Sequence, residues 1–104
     1  ESAVYEWVPS AGAFNRTGVL ANERDPGSGN RRYASRVTTF VLGGRAYCFA
    51  SYFSDRSTTS VSSVLYQWLP SASSFRHHQS FPTNGAADAS LATASTGEIF
   101  LSVA

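Results

Sequence analysis

Short apolar segments separated by polar turns recur along the whole chain. No stretch repeats its apolar residues with the 3.6-residue period of an amphipathic helix. The segments are rich in Tyr, Trp, Phe and Val, which favour the pleated surface of a sheet. Eight of them are predicted as strands, at residues 2–8, 13–20, 33–42, 45–52, 64–69, 74–81, 87–94 and 98–103. The chain is therefore predicted to be all-β, with short antiparallel strands.

The first predicted strand carries apolar side chains on both of its faces. Successive side chains of a strand point to opposite faces of the sheet. Ala3, Tyr5 and Trp7 therefore share one face, and Val4 and Val8 share the other. A sheet that is apolar on both faces needs a covering layer on each side, which predicts stacked sheets.

The chain contains an internal repeat. Residues 2–14 read SAVYEWVPSAGAF, residues 62–75 read SSVLYQWLPSASSF, and Trp7 precedes Trp68 by 61 positions. The same offset aligns Tyr5 with Tyr66, Pro9 with Pro70, Ser10 with Ser71 and Phe14 with Phe75. A repeat is typical of an architecture in which one unit cannot bury its apolar face alone. We therefore interpret the matched aromatic residues as packing residues, in preference to platforms that stack on sugars.

Two polar loops carry the candidate contact residues. Residues 22–32 contain Pro and Gly together with a cluster of charges. Residues 51–63 are rich in Ser and Thr and show no helical period. Loops on a rigid scaffold often carry recognition. The candidate partner contacts are therefore Arg31, Arg32, Asp55 and Arg56, with an ordinary solvated loop as the alternative interpretation.

Charge and composition exclude some classes of function. The 104 residues carry a formal charge of +1 at pH 7, and only 14% of them are charged. This balance gives no electrostatic reason to expect a nucleic-acid partner. No apolar run is long enough to span a bilayer, so no transmembrane segment is predicted. Cys48 is the single cysteine. It cannot form an intrachain disulfide, and we predict a small buried residue.

The residue types that support catalysis or metal binding form no recognisable site. His77 and His78 are adjacent, so on a strand they point to opposite faces and make a poor metal pair. The sequence has no Gly-x-Ser-x-Gly elbow, no phosphate-binding loop and no dinucleotide fingerprint. Asp25 lacks the following carboxylates of a calcium loop and is interpreted as a turn residue. We therefore predict that the protein is not an enzyme.

One triplet bears on modification. Asn15, Arg16 and Thr17 form an acceptor sequence for N-glycosylation. Such triplets also arise by chance, and this one would matter only in a secreted protein. Asn15 is the glycosylation candidate.

Most of the chain resembles a known repeat. Residues 47–75 look like the EAR repeat, also called EPTP, whose pattern runs Tyr-Leu-x-Val-Ala-x-Tyr, a polar loop, Ser-Val-x-Tyr-x-Trp and a Phe. Residues 81–104 resemble the preceding part of that repeat, Ile-Pro-Thr-x-Gly-Ala-x-Asp, a strand, a Gly turn and Tyr-Leu-x-Val-Ala. The matching residues there are Pro82, Thr83, Gly85, Ala86, Asp88, Phe100, Leu101, Val103 and Ala104.

The first copy departs from this pattern, and a rival family shares part of it. Where the second copy has PTNGAAD, the first has ANERDPGSGNRRYAS, which lacks the Gly-Ala-x-Asp element. Kelch repeats are the rival resemblance, through Gly43-Gly44, Tyr47 and Trp68. A kelch repeat places a Gly pair just after its Tyr strand, where this chain has Ala50-Ser51. The EAR repeat is therefore favoured.

Both families resemble one another in fold, a β-propeller with four antiparallel strands per blade. One whole blade would comprise residues 33–42, 45–52, 62–69 and 74–81. Residues 1–22 would be the outer half of the preceding blade, and residues 86–104 the inner half of the next. Residues 1–104 then form a single propeller segment, with repeat units at about 1–52 and 62–104. Half-blades leave strand edges unpaired. We therefore expect part of a larger propeller, with a ring of several copies as the alternative.

The resemblance implies a non-enzymatic interaction or adhesion module that is extracellular or at the cell surface and binds a protein. EAR-like propellers can hold calcium near the central channel, which makes Asp88 a weak calcium candidate. One carboxylate is too few for a calcium cage, and no other cofactor is expected. The alternatives are a carbohydrate-binding, lectin-like propeller and a structural subunit that assembles into a ring or fibre. A hydrolase on this scaffold would need catalytic residues that the sequence does not reveal.

Overall fold

The computed structural model describes residues 3–20, 24, 25, 27 and 29–104. Every regular element in this part of the chain is a β-strand, and all strand pairs are antiparallel. The strands are β1 (Ala3–Val8), β2 (Ala13–Val19), β3 (Tyr33–Leu42), β4 (Arg45–Ser54), β5 (Ser62–Leu69), β6 (Ser74–Pro82), β7 (Ala89–Thr93) and β8 (Ile99–Val103). The all-β prediction is therefore confirmed. The described residues include no helix that could cross a membrane.

The eight strands form three separate sheets. The central sheet has four strands in the order β3-β4-β5-β6. The two-stranded sheet β1-β2 precedes it in the chain, and the two-stranded sheet β7-β8 follows it. This division into two, four and two strands agrees with the predicted grouping of strands. Within the described residues, no sheet closes on itself.

The predicted boundaries differ most at β7. The sequence predicts a strand over residues 87–94, whereas β7 spans Ala89–Thr93. The backbone amides of Ala87 and Asp88 both donate to the carbonyl of Ala104, at 2.6 and 3.3 Å. Two residues thus share one partner, and the regular ladder begins only after them.

The repeated sequence folds twice into the same hairpin. β1 pairs with β2, and β5 pairs with β6. Both ladders shift register at equivalent positions, between Val4 and Tyr5 in one and between Leu65 and Tyr66 in the other. Such shifts are β-bulges, which bend a strand and increase its twist. The offset of 61 residues therefore describes the backbone as well as the side chains.

The ring contact of the two hairpins is also alike. Trp7 meets Phe14 edge to face with 5.1 Å between the ring centroids. Trp68 meets Phe75 in the same way at 5.2 Å. Aromatic rings prefer this arrangement because the positive edge of one ring faces the negative face of the other. Each hairpin therefore has its own edge-to-face Trp–Phe contact next to its turn.

The main core lies between the β1-β2 sheet and one face of the central sheet. Val4 of β1 and Phe75 of β6 pack against its buried members. These members are Leu20, Cys48, Ala50, Tyr52, Val61, Val64 and Tyr66. Tyr66 is fully buried, and its hydroxyl lies 2.9 Å from the hydroxyl of Tyr52. Because a buried hydroxyl without a partner costs free energy, this hydrogen bond allows two large polar rings to enter the core.

The opposite face of the central sheet is apolar as well. Phe49 lies between Cys48 and Ala50 on β4, so its side chain points away from the main core. It is fully buried, and its ring centroid lies 5.5 Å from that of Phe81. The central sheet therefore has two apolar faces, as a layer between two others requires.

Side chains of β3 hold the third sheet. Ser35 Oγ donates to the carbonyl of Ala86 at 2.7 Å. Thr38 Oγ1 donates to the carbonyl of Ala89 at 3.2 Å. The β7-β8 sheet is thus attached through polar contacts to the outermost strand of the central sheet, next to the buried Ala86 and Ala89.

The twin aromatic residues have different surroundings. Tyr66 is 0% exposed, whereas its twin Tyr5 is 57% exposed. Trp68 is half-buried, whereas Trp7 is 51% exposed, and Phe14 is exposed too. β5 is paired on both edges, by β4 and β6, whereas in the described chain β1 is paired only with β2. Tyr66 is therefore packed in the core, whereas Tyr5, Trp7 and Phe14 are exposed in the described part of the chain.

The twin positions offer a matched pair of substitutions. We expect Tyr66→Ala to lower the free energy of unfolding by about 3–5 kcal/mol, because it opens a core cavity and removes a hydrogen bond of Tyr52. We expect Tyr5→Ala to change it by less than about 0.5 kcal/mol, because the ring is exposed. Urea denaturation of both variants measures the difference. Equal effects at the two positions would show that β5 is not the buried copy.

Candidate binding surface at the loop end

Three loops meet at one end of the sheets, which we call the loop end. They connect β2 to β3, β4 to β5 and β6 to β7. Asn30 Nδ2 of the first loop donates to Asp55 Oδ2 of the second at 3.4 Å. The backbone amide of Gly85 in the third donates to the carbonyl of Thr59 in the second at 2.8 Å. The loops that the sequence separates by tens of residues therefore form one continuous surface.

Asp25 fastens the first loop to the central sheet. Its carboxylate is buried, and Oδ1 accepts a hydrogen bond from the backbone amide of Ser62 at 3.1 Å. Oδ2 accepts from the amide of Gly27 at 3.0 Å. The carbonyl of Asp25 also accepts from the amide of Gly29 at 2.6 Å. The sequence predicted a turn residue here, and the structure adds the long-range bond to β5.

Arg32 points into the protein. Its side chain is buried, and the guanidinium lies over the ring of Tyr52, 4.7 Å from the ring centroid. Nη1 donates to the carbonyl of Ser62 at 3.0 Å. A guanidinium over an aromatic face is attracted by the ring quadrupole. Arg32 therefore supports the fold of the loop, whereas the sequence predicts a partner contact at this position.

Asp55 organises the second loop. It is buried, and its Oδ1 accepts hydrogen bonds from the amides of Ser57 and Thr58, both at 2.9 Å. Oδ1 also accepts from the hydroxyl of Ser57 at 2.8 Å. A short side chain that satisfies backbone amides two and three residues ahead is a common way to close a turn. The structure thus gives Asp55 an internal role, and its predicted contact with a partner stays a prediction.

Among the described residues of the first two loops, the exposed charged side chains are arginines. Arg31 and Arg56 are exposed, as the sequence analysis expects of contact residues, and Arg24 is exposed beside them. The Arg56 guanidinium lies over the ring of Tyr33, 4.7 Å from the centroid. Since the carboxylates of Asp25 and Asp55 are buried, the described charges on the outside of these two loops are positive. We call Arg24, Arg31, Tyr33 and Arg56 the arginine face.

Sequence reasoning separated these residues only in part. It named Arg31 and Arg56, which are exposed, together with Arg32 and Asp55, which are buried. It did not name Arg24 or Tyr33. Aromatic and arginine residues in neighbouring loops are a detectable signal, but the sequence does not show which loops touch.

Asp88 is placed as an ion-pair partner. Its Oδ1 lies 3.1 Å from Nε of Arg36, and it accepts a hydrogen bond from the amide of Ala89 at 2.7 Å. Among the residues that the structure describes, no three or more His, Cys, Asp or Glu side chains gather as a metal site would require. The calcium prediction for Asp88 therefore receives no support from its neighbours.

The two side chains considered as nucleophiles, Cys48 and Ser80, lie in different environments. Cys48 is buried in the main core, and this burial raises the pKa of its thiol from 9.0 to about 12. It therefore stays protonated and packs as an apolar residue. Ser80 Oγ lies 2.7 Å from His77 Nε2, but both are exposed on β6. No carboxylate in the described part of the chain hydrogen-bonds this His, so the pair lacks the group that orients a catalytic base.

Asn15 lies exposed on β2, opposite Glu6 of β1. The Thr17 hydroxyl, which completes the acceptor triplet, donates to the carbonyl of Val4 at 3.3 Å. The Asn15 side chain is thus accessible, and its glycosylation stays a prediction.

A cleft lies at the opposite end of the central sheet, beside the short turns. This cleft has a volume of about 360 Å³. It is lined by Gly44, Arg45, Ala46, Trp68, Leu69 and Pro70. An indole beside a guanidinium could bind a planar or sugar-like group, and the cleft lies within the size range of small-molecule sites.

Comparison with known proteins gives no relative from which a role could be transferred. No protein-family model matches the chain, and no curated protein and no solved structure matches it either. The resemblance to the EAR repeat therefore depends on the residues named in the sequence analysis.

Asp55 is buried and Asp88 is exposed, so substituting each of them tests how the loops are held. We expect Asp55→Ala to lower the free energy of unfolding by about 2 kcal/mol, because it removes the acceptor of several loop hydrogen bonds. We expect Asp88→Ala to cost less than about 1 kcal/mol, because its ion pair with Arg36 is exposed. Thermal or urea unfolding measures both. A larger loss in Asp88→Ala would contradict the roles assigned to these loops.

Proposed function

We propose that this chain is a non-enzymatic interaction module built from consecutive blades of a β-propeller of the EAR-repeat type. In this proposal it belongs to a larger extracellular or cell-surface propeller and binds a protein partner through the arginine face. The observation that carries the proposal is the loop end, where buried aspartates fix the loops and exposed arginines face outward.

The blade architecture is supported by the stacking of the sheets. A four-stranded antiparallel sheet in sequential order is the unit of a propeller blade. The central sheet has this order, and a two-stranded sheet packs on each side of it. The identical bulges of the twin hairpins support a repeat of one structural unit. The propeller explains why both faces of the central sheet are apolar.

The choice of partner is supported by charge and rigidity. Arg24, Arg31 and Arg56 place positive charge on the arginine face, and Tyr33 adds an exposed aromatic edge. Arginine and tyrosine are enriched at protein interfaces. The internal hydrogen bonds of Asp25 and Asp55 hold these loops in place, which lowers the entropy cost of binding. An acidic protein surface is the complementary partner.

A carbohydrate-binding propeller is the second candidate. The cleft beside Trp68 and Arg45 favours it, because sugars stack on indole rings and hydrogen-bond to guanidinium groups. This cleft lies at the opposite end from the arginine face, so the two candidates depend on different residues.

Charge reversal at the two ends separates these candidates. We expect Arg31→Glu combined with Arg56→Glu to weaken binding of the fluorescently labelled protein to cultured cells by more than about tenfold, because like charges then meet at the interface. The matched control is Arg45→Glu combined with Arg76→Glu, which makes the same charge change on exposed arginines away from the loop end. Flow cytometry measures the binding of each protein to the cells and the dependence of that binding on salt concentration.

The Arg45→Glu, Arg76→Glu protein also tests the carbohydrate-binding candidate. Loss of binding only in the Arg45→Glu, Arg76→Glu protein, together with loss after glycosidase treatment of the cells, would favour the carbohydrate candidate. Equal binding by all three proteins would contradict both candidates.

A further inference from the structure

The central sheet shows which strand positions need two neighbours. β4 and β5 are interior strands and are paired on both edges, whereas β3 and β6 end the sheet. By the repeat, β1 is the twin of β5 and β2 is the twin of β6. β2 is therefore an end strand, and β1 is an interior strand whose second neighbour is absent from the described chain.

β8 is the counterpart of β4, as β1 is the counterpart of β5. Each is the second strand of an antiparallel hairpin that follows a loop of the loop end. The two strands share a pattern of an aromatic, an apolar, any residue, an apolar and a small residue. The pattern reads Tyr47, Cys48, Phe49, Ala50, Ser51 in β4, and Phe100, Leu101, Ser102, Val103, Ala104 in and after β8. β8 is thus also an interior strand with one neighbour.

The backbone of β8 is prepared for a second neighbour. Ala104 exchanges hydrogen bonds with Asp88, at 2.9 and 3.3 Å. In an antiparallel ladder, bonded and non-bonded pairs alternate, so the amides and carbonyls of Leu101 and Val103 point away from β7. Within the described chain no strand pairs with that edge. An unpaired edge of this kind is a template for another strand.

We propose that the free edge of β8 binds β1 of a second copy of this chain as an antiparallel neighbour. This inference rests on the blade architecture proposed above. β4 pairs with β5 through Tyr47 with Gln67, Cys48 with Tyr66, Phe49 with Leu65 and Ala50 with Val64. The twin relations turn this register into Phe100 opposite Glu6, Leu101 opposite Tyr5, Ser102 opposite Val4 and Val103 opposite Ala3.

The exposure of two side chains supports β1 of a second copy as the strand that pairs with β8. Tyr66 is buried where it pairs with Cys48, and its twin Tyr5 is exposed where none of the described strands occupies the corresponding edge. Phe100 is 55% exposed at the edge that would receive β1. Pairing β8 with β1 of another copy would give Tyr5 the strand neighbour that Tyr66 has. It would complete a four-stranded sheet in the order β7-β8-β1-β2.

The two copies contribute different strand edges to the contact, and this determines the kind of assembly. Each copy offers one β8 edge and one β1 edge, and these are different surfaces. Such a heterologous contact produces a ring if the rotation closes and an open fibre if it does not. A ring of several copies would contain two blades for each copy.

The test uses opposite charges at one position of the 104-residue chain. Phe100→Glu would place a carboxylate opposite Glu6 of the next copy, and Phe100→Lys would place an ammonium group there. Both variants remove the same exposed ring. We expect the self-association constant, measured by sedimentation velocity over a range of concentrations, to be about fivefold weaker for Phe100→Glu than for Phe100→Lys. Adding Glu6→Arg to Phe100→Glu should restore association.

Each outcome decides the inference. Association of the parent chain that increases with concentration and follows this charge pattern supports it. Association that is insensitive to the charges at positions 100 and 6 would overturn the proposed edge contact. A chain that unfolds cooperatively but is monomeric at every concentration would overturn it too, would point to a further segment of polypeptide as the occupant, and would leave the blade architecture standing. A chain without cooperative unfolding at any concentration would overturn both.

Discussion

The pairing of β5 on both of its edges is the constraint on which the rest of the fold depends. β4 on one edge and β6 on the other close the backbone hydrogen bonds of β5. This pairing places Tyr66 in the core, where its hydroxyl meets that of Tyr52 at 2.9 Å. The same amino-acid pattern in β1 has one neighbour in the described chain and leaves Tyr5 exposed. Because the twins share their local sequence, the difference comes from their surroundings, which for Tyr66 are the neighbouring strand β4 and the β1-β2 sheet that packs against the same core.

The loop end depends on that same sheet. Ser62, the first residue of β5, donates its amide to Asp25 and accepts a hydrogen bond from Arg32 at its carbonyl. The loop that carries the exposed Arg31 is thus attached to the beginning of an interior strand. Asp55 fixes the neighbouring loop in a similar way. Asp25 and Asp55 are thus used in internal hydrogen bonds, whereas Arg24, Arg31 and Arg56 are exposed on the same two loops.

Much of the fold could be predicted from local patterns. Strand-forming residues and turn residues alternate clearly, and the offset of 61 residues predicted that β1-β2 and β5-β6 would be equivalent. The burial of individual copies could not be predicted in this way. It depends on whether a neighbouring strand and a covering sheet are present, which the local pattern around Tyr5 or Tyr66 does not encode.

The contact residues show the same limit. Arg31 and Arg32 are neighbours of the same type, yet one is exposed and the other lies over Tyr52. Asp25 and Asp55 have the composition of ordinary turn residues, and their roles depend on loops that are distant in sequence meeting in space. Long-range contacts of this kind decide which charged side chains are exposed, so the sequence could locate the loops but could not separate the exposed charges from the buried ones.

Amide hydrogen exchange at Leu101 and Val103 tests whether the edge of β8 receives a strand of another copy. The amides of these two residues point to the free edge of β8, so we expect fast exchange in dilute solution and slow exchange once copies associate. The amide of Ser102, which points towards β7, provides an internal reference on the same strand. Exchange at Leu101 and Val103 that is equally fast at every concentration would contradict the claim that this edge receives a strand.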